Sequence, residues 1–238
     1  MTNKYMYFIA NWKMYGDIKS LNTLNRVIKF SKSKEINKGR LIYCPPYTLI
    51  NSFLKKFKNC LIDIGAQNCH ENETYGPHTG FINARMLKNI GANYVIIGHS
   101  ENREKGESNR LINLKIKNAI KAKLKVIFCI GETLKEKRKR VTKKVLSRQI
   151  NLGLNEIRNK NNIIVAYEPV WSIGTGVIPK NNELYETINF LKRKIKKNKI
   201  LYGGSVNAKN IEQLKSIDSR SLEFCIRVTV SLILHPDS

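Results

Sequence analysis

The chain has 238 residues, 42% of them hydrophobic, and a formal net charge of +25. That length suits one α/β barrel domain. The lack of any apolar run of 18 residues or more excludes a transmembrane helix. The five cysteines, at 44, 60, 69, 129 and 225, are odd in number and show no C-x-x-C spacing. They argue against a disulfide framework or a metal site, and for the reduced thiols of a cytoplasmic protein. The opening "MTNKYMYFIANWK" lacks the charged, apolar and small-residue order of a signal peptide.

Taken in order, short apolar runs alternate with longer helical patterns. "YMYFIANW" reads as a first strand and is followed by "SLNTLNRVIKF", with apolar residues at helical spacing. "RLIYCP", "CLIDIGA" and "YVIIGH" read as the next three strands, and "NRLINLKIKNAIKA" (109–122) as an amphipathic helix. After the strand "LKVIFCIG", Thr133 and Glu136 stand at capping-box spacing and open the charge run "KEKRKRVTKK" (135–144). "IIVAYEP" and "KILYGGS" give two more strands, and "SLEFCIRVTV" an eighth with almost nothing after it. Repeated strand–helix order implies a parallel sheet with helices outside, and eight such strands can close. The expected fold is a (β/α)8 barrel, residues 1–238 forming a single domain, with an atypical or truncated last β/α unit whose helix is missing or a stub.

The charge taken alone points to nucleic acid or another polyanion. The run 135–144, however, has no interleaved aromatics on which bases could stack. We read it as a solvated helix face and do not expect nucleic acid as a partner.

Barrels of this kind gather their chemistry at the C-terminal strand ends. Those ends read "NWK" (11–13), "GHSE" (98–101), "YEP" (167–169) and "YGGS" (202–205). Lys13 can neutralise phosphate or a developing enolate, against the alternative of a snorkelling surface lysine. His99 can offer a nitrogen to a carbonyl oxygen, against a purely structural histidine. Glu168 can remove a proton next to a carbonyl, against an ordinary strand-end carboxylate. Gly203, Gly204 and Ser205 precede a helical segment, where backbone N–H groups can bind phosphate. Behind Glu168, Pro169-Val170-Trp171 reads as the stiff front of a lid, and Gly174-Thr175-Gly176 as its turn. Together these groups describe a site for a small phosphorylated carbonyl compound.

"ANWKM", "YVIIGHSENR", "CIGETL", "AYEPVWSIGTG" and "YGGSVN" stand in the order and at the spacing of the triosephosphate isomerase family, which the chain resembles over residues 5–217. The resemblance implies a cytoplasmic glycolytic enzyme that interconverts dihydroxyacetone phosphate and D-glyceraldehyde 3-phosphate by Glu-mediated proton transfer through an enediolate, with no metal and no organic cofactor. It implies that Asn11 and Lys13 hold the substrate and its oxyanion, and that His99 polarises the carbonyl. Glu101 would support Lys13, and Glu168 would shuttle the proton. Gly174 and Ser205, with Gly203 and Gly204, would contact phosphate. The loop "QNCHENETYGPHTG" (67–80) is similar to the family's projecting loop, which implies a homodimer with Thr79 reaching the partner's site.

The departures from the pattern are specific. Val177 stands where the family usually has Lys, and Phe81 and Asn102 where it commonly has a Glu and an Arg that pair across the interface. Both charges are absent together, which reads as an exchanged contact. The segment 218–238 diverges: no glycine follows Gly204, and Arg227-Val228 or Thr229-Val230 occupy the expected place of a Gly-Gly phosphate turn. A second reading is therefore kept, an inactive or weakly active barrel of the same lineage with a defective phosphate site, acting as a basic polyanion-binding protein.

Overall fold

The computed structural model describes residues 6–33, 39–196, 198–206, 210, 214 and 225–229, with position 6 and 225–229 described by their backbone. Eight parallel strands close into a barrel in sequence order. They are β1 (Met6–Asn11), β2 (Gly39–Cys44), β3 (Ile62–Ala66), β4 (Tyr94–Ile97), β5 (Lys125–Ile130), β6 (Ile163–Tyr167), β7 (Lys199–Tyr202) and β8 (Cys225–Thr229). The helices are α1 (Asn25–Ser31), α2 (Ile50–Lys56), α3 (Ala84–Ile90), α4 (Ser100–Glu104), α5 (Asn109–Lys121), α6 (Leu134–Arg138), α7 (Thr142–Gly153) and α8 (Asn181–Ile195). Among the described residues, no helix is long and apolar enough to cross a membrane.

Local sequence explains several of the boundaries. Ser108 caps α5 by accepting the Leu111 N–H, and Asn83 caps α3 by accepting the Met86 N–H. Thr133 and Glu136 form both bonds of the capping box at the start of α6. Such a cap is worth about 1 kcal/mol. The charge run 135–144 is not one helix: α6 ends at Arg138, Arg140 turns through φ 58, and α7 starts at Thr142. The pattern at 20–30 likewise divides into a 3-10 turn, Lys19–Leu24, and α1.

The eighth strand forms, and it corrects one expectation. Arg227 and Val228 lie inside β8, opposite Ile9 and Ala10 of β1, not in a turn. Thr229 is the last strand residue, level with Asn11. β8 pairs with β1 from Tyr7–Cys225 to Asn11–Thr229, and meets β7 at Tyr202–Ile226. Val230 and the expected stub of a last helix lie outside the described residues.

The strands bury both faces, so side chains divide by parity. Tyr94, Ile96, Ile127, Cys129, Ile164, Ala166 and Leu201 belong to the cluster filling the barrel. Val95, Ile97, Val126, Phe128, Ile163, Val165 and Ile200 belong to the layer under the helices. Fully burying one such aliphatic side chain is worth about 1.5–3 kcal/mol.

Candidate active site

Parity also builds the site. The inward series Ile164, Ala166 continues past the tip of β6 to Glu168, and Ile9 of β1 continues to Asn11 and Lys13. On β5 and β7 the same step, past Cys129 and Leu201, lands on Gly131 and Gly203. A Cβ at Gly131 would sit 1.7 Å from the Glu168 carbonyl oxygen, and one at Gly203 would sit 2.5 Å from Glu168 Cγ. The carboxylate therefore fits at the barrel mouth because both neighbouring strands end in bare backbone. Glu168 is only 1% exposed.

His99 breaks the alternation. By parity it belongs under the helices, but Gly98 at φ +76, a left-handed conformation that favours glycine, turns the chain so that the imidazole comes to the mouth. His99 caps α4: its Nδ1 accepts the Glu101 N–H at 3.3 Å. An Nδ1 that accepts an N–H holds no proton, so the ring is neutral with its proton on Nε2. Glu101 Oε2 lies 3.4 Å from the same Nδ1, a contact that would suit an imidazolium, but the backbone donor already occupies that nitrogen. Nε2 lies 3.9 Å from Glu168 Oε2, beyond hydrogen-bond range.

Lys13 reaches the same place from β1. Its Nζ meets Glu101 Oε1 at 2.8 Å, its N–H donates to Asn11 Oδ1 at 3.1 Å, and its backbone has φ 50. A non-glycine residue in that region costs roughly 1–2 kcal/mol. Asn11 spends its side chain holding that turn and is itself buried. Asn11, Lys13, His99, Glu101 and Glu168 thus converge on one end of the barrel. Thr79 is not among them; it stands exposed on the loop 67–80.

The segment after Glu168 is tied down at both ends. Trp171 Nε1 donates to Glu132 Oε1 at 2.9 Å, and Lys137 Nζ lies 3.6 Å from the centre of the indole. Tyr167 also donates to Glu132, whose carboxyl burial pushes above its ordinary range. Gly174 and Gly176 take φ +71 and +73. The Gly176 N–H then donates to Ser205 Oγ at 3.2 Å, and Ser205 Oγ donates to Ser172 O. The Ser172 hydroxyl pairs with that of Tyr202 at 3.0 Å. Ser205 therefore joins this segment to the turn after β7. The Gly203 N–H donates to Tyr167 O at 2.7 Å in the sheet, and the bare Cα at this position leaves room for the Glu168 side chain.

Three polar groups near the barrel mouth escaped the sequence reading, Glu132 and Gln149 buried and Arg103 half-buried. Glu132 lies inside the quoted "CIGETL", and its signal is a carboxylate two residues past a strand tip. Arg103 donates to the Gly98 and Cys129 carbonyls at 2.7 and 3.1 Å, and burial lowers its pKa to about 10. Gln149 binds Gly131 by both ends of its amide; its signal is a polar residue on the apolar stripe of α7, beside Val145, Leu146, Ile150 and Gly153. Among the described residues no group of three or more His, Cys, Asp or Glu is placed to hold a metal ion.

A sequence model described as "Triosephosphate isomerase" matches residues 6–219. The triosephosphate isomerase of Wolbachia pipientis wMel is 41% identical over 217 residues, covering 90% of this chain and 84% of that protein. That of Thermodesulfovibrio yellowstonii is 38% identical over 224 residues, covering 90% and 89%. The crystal structure of triosephosphate isomerase from Bartonella henselae superposes with a TM-score of 0.84 at 34% identity, covering 95% of this chain and 93% of that one. With the barrel, the mouth residues and these relatives in agreement, the chain belongs to the triosephosphate isomerase family.

Proposed function

We propose that the protein interconverts dihydroxyacetone phosphate and D-glyceraldehyde 3-phosphate. The observation that carries this reading is the pairing of a buried Glu168 with a neutral His99 at the barrel mouth, beside Lys13. Glu168 removes a proton from the carbon next to the substrate carbonyl and returns it to the neighbouring carbon. His99 Nε2–H donates to the oxygen on which charge develops, and Lys13 supplies positive charge to the enediolate and the phosphate. Asn11 fixes the Lys13 turn, and Glu101 holds the ammonium from the other side. Gly204, Ser205 and Gly174 border the place for phosphate, and the segment 169–177 covers it, keeping water from the reactive enediol.

We read the active form as a homodimer. Met14, Tyr15 and Ile18 on one segment, and Tyr75 and Phe81 on or beside the loop 67–80, are large apolar side chains left exposed in the single chain. Tyr47 ties its neighbouring segment to that loop through Asn68 O at 2.7 Å. Phe81 packs edge-on against His70, 4.8 Å between ring centres, so the charge lost from this position is replaced by an aromatic contact. Thr79 then reaches the partner's site. Cys44, Cys60, Cys69 and Cys129 form no disulfide among the described residues, which supports a cytoplasmic setting.

The deciding experiment is a coupled isomerase assay in both directions on the purified chain, with Glu168→Gln as control. Turnover in the parent and its loss in Glu168→Gln are expected; an inactive parent overturns the reading. Light scattering at micromolar concentration should give twice the chain mass, and a monomer would remove the homodimer.

A further inference from the structure

Gln149 is 7% exposed and lies on the face of α7 that packs against the barrel. A buried primary amide among aliphatic neighbours must be satisfied on both sides to be tolerated. Here both sides go to one residue: Oε1 accepts the Gly131 N–H at 2.9 Å, and Nε2 donates to the Gly131 carbonyl at 3.0 Å. Gly131 has just left β5, so no neighbouring strand supplies those bonds. Gln149 replaces a strand for this single residue.

What it holds is the support of Glu168. The residue before Gly131, Ile130, accepts the Glu168 N–H at 2.7 Å; the residue after it, Glu132, accepts the Val170 N–H at 3.0 Å. The tripeptide 130–132 is therefore a shelf beneath 168–170. Its middle residue touches the glutamate's own backbone, where a Cβ would lie 1.7 Å from the Glu168 oxygen. Any drift of Gly131 is passed on to Glu168 directly, because no side chain lies between them to absorb it.

We propose that Gln149 is a positioning residue for the proton-transferring carboxylate: by pinning both backbone groups of Gly131 it fixes the height and tilt of Glu168 at the barrel mouth. This rests on the reading of Glu168 as the base. Gln149 touches neither the phosphate turn nor Lys13, so its removal misplaces the base and leaves substrate binding intact.

The test uses the full chain with Gln149→Met, of similar length but without the amide, and Gln149→Glu, which when ionised keeps the acceptor and loses the donor. In Gln149→Met kcat should fall about 10- to 100-fold, the range expected for displacement of a reacting group by a fraction of an ångström to one. KM, and the Kd of the unreactive analogue glycerol 3-phosphate, should stay within about twofold, the mark of an interaction used mainly in the transition state. Gln149→Glu should fall between parent and Gln149→Met, and decides the matter if the methionine variant does not fold. Amide hydrogen exchange gives a readout independent of turnover: the N–H groups of Glu168 and Val170 should exchange at least about tenfold faster in Gln149→Met. If the parent is inactive, the functional reading fails while exchange still decides the clamp. A folded Gln149→Met with kcat within twofold of parent, an equal fall in kcat and analogue affinity, or unchanged exchange at 168 and 170 would each overturn the proposal.

Discussion

Gly203→Ala puts the base placement under direct strain. The added Cβ would stand 2.5 Å from Glu168 Cγ, 3.3 Å from Cδ and 3.1 Å from Oε1. Relaxed carbon–carbon contacts lie at about 3.5–4.0 Å, so one partner must retreat by roughly 1–1.5 Å. Glu168 cannot retreat as a whole, since its backbone oxygen already rests on the Cα of Gly131 and its N–H is bonded to Ile130 O. The side chain must rotate instead, carrying the carboxylate away from the position proposed for proton removal. Displacement of about 1 Å costs on the order of 100-fold in rate, or about 2.7 kcal/mol of barrier. Coupled steady-state kinetics should therefore show kcat reduced about 100-fold, with KM changed far less, and a thermal midpoint should confirm that the barrel remains folded. A folded Gly203→Ala that keeps kcat within about threefold of parent would refute the contact or the role of Glu168.

Glu168→Asp draws the carboxylate back by about one methylene and should lower kcat by at least about 100-fold while glycerol 3-phosphate binding persists, measured by the same assay and by calorimetry. Glu132 makes a pH prediction: burial raises its folded-state pKa above 4.5, so its contribution to stability is intact below about pH 4.5 and is lost as pH rises through the raised value. Urea midpoints should therefore favour Glu132→Gln over parent increasingly as pH climbs across that window, and a constant difference would remove the burial effect. With a net charge of +25, encounter with a dianionic substrate should slow with salt, kcat/KM falling several-fold from low salt to about 0.5 M. The same charge should not yield sub-micromolar binding of DNA or RNA near 0.15 M salt in a gel-shift titration; such binding would favour the polyanion reading.

The parallel order and the strand ends were legible because buried strands leave continuous Val, Ile and Leu runs that turn chemistry interrupts. The placement of Glu168 followed from the tip of "IIVAY". The environment that makes it usable did not. Gly131 and Gly203 matter through contacts between separate strands, and no local pattern reports that a Cβ there would strike a glutamate. His99 is a similar case: its address was readable, but the parity break at Gly98 and the hydrogen bond to Nδ1 that fixes its tautomer are three-dimensional facts. The eighth strand was expected, yet its register was not, because period-two patterns permit a slip that only pairing with Tyr7–Asn11 resolves. Gln149 was overlooked because a polar residue on a helix stripe usually marks the edge of the stripe, and here it marks a bond across to a strand end.

The unequal pairing of β8, extensive along β1 and brief along β7, carries a consequence for how the chain reaches this state. The first strand cannot complete its ladder until residues roughly 220 positions later arrive, and closing a loop of that length costs about 5 kcal/mol of chain entropy beyond a constant term. Strands β2 to β7 each find both partners among strands adjacent in the sequence, and the long closure falls on β1 and β8 alone. On a ribosome, the edge of β1, which itself carries apolar Phe8 and Ile9, therefore waits until β8 is released. The barrel closes on its first strand, and the open edge of β1 is the place where a delayed chain would first pair with another copy of itself.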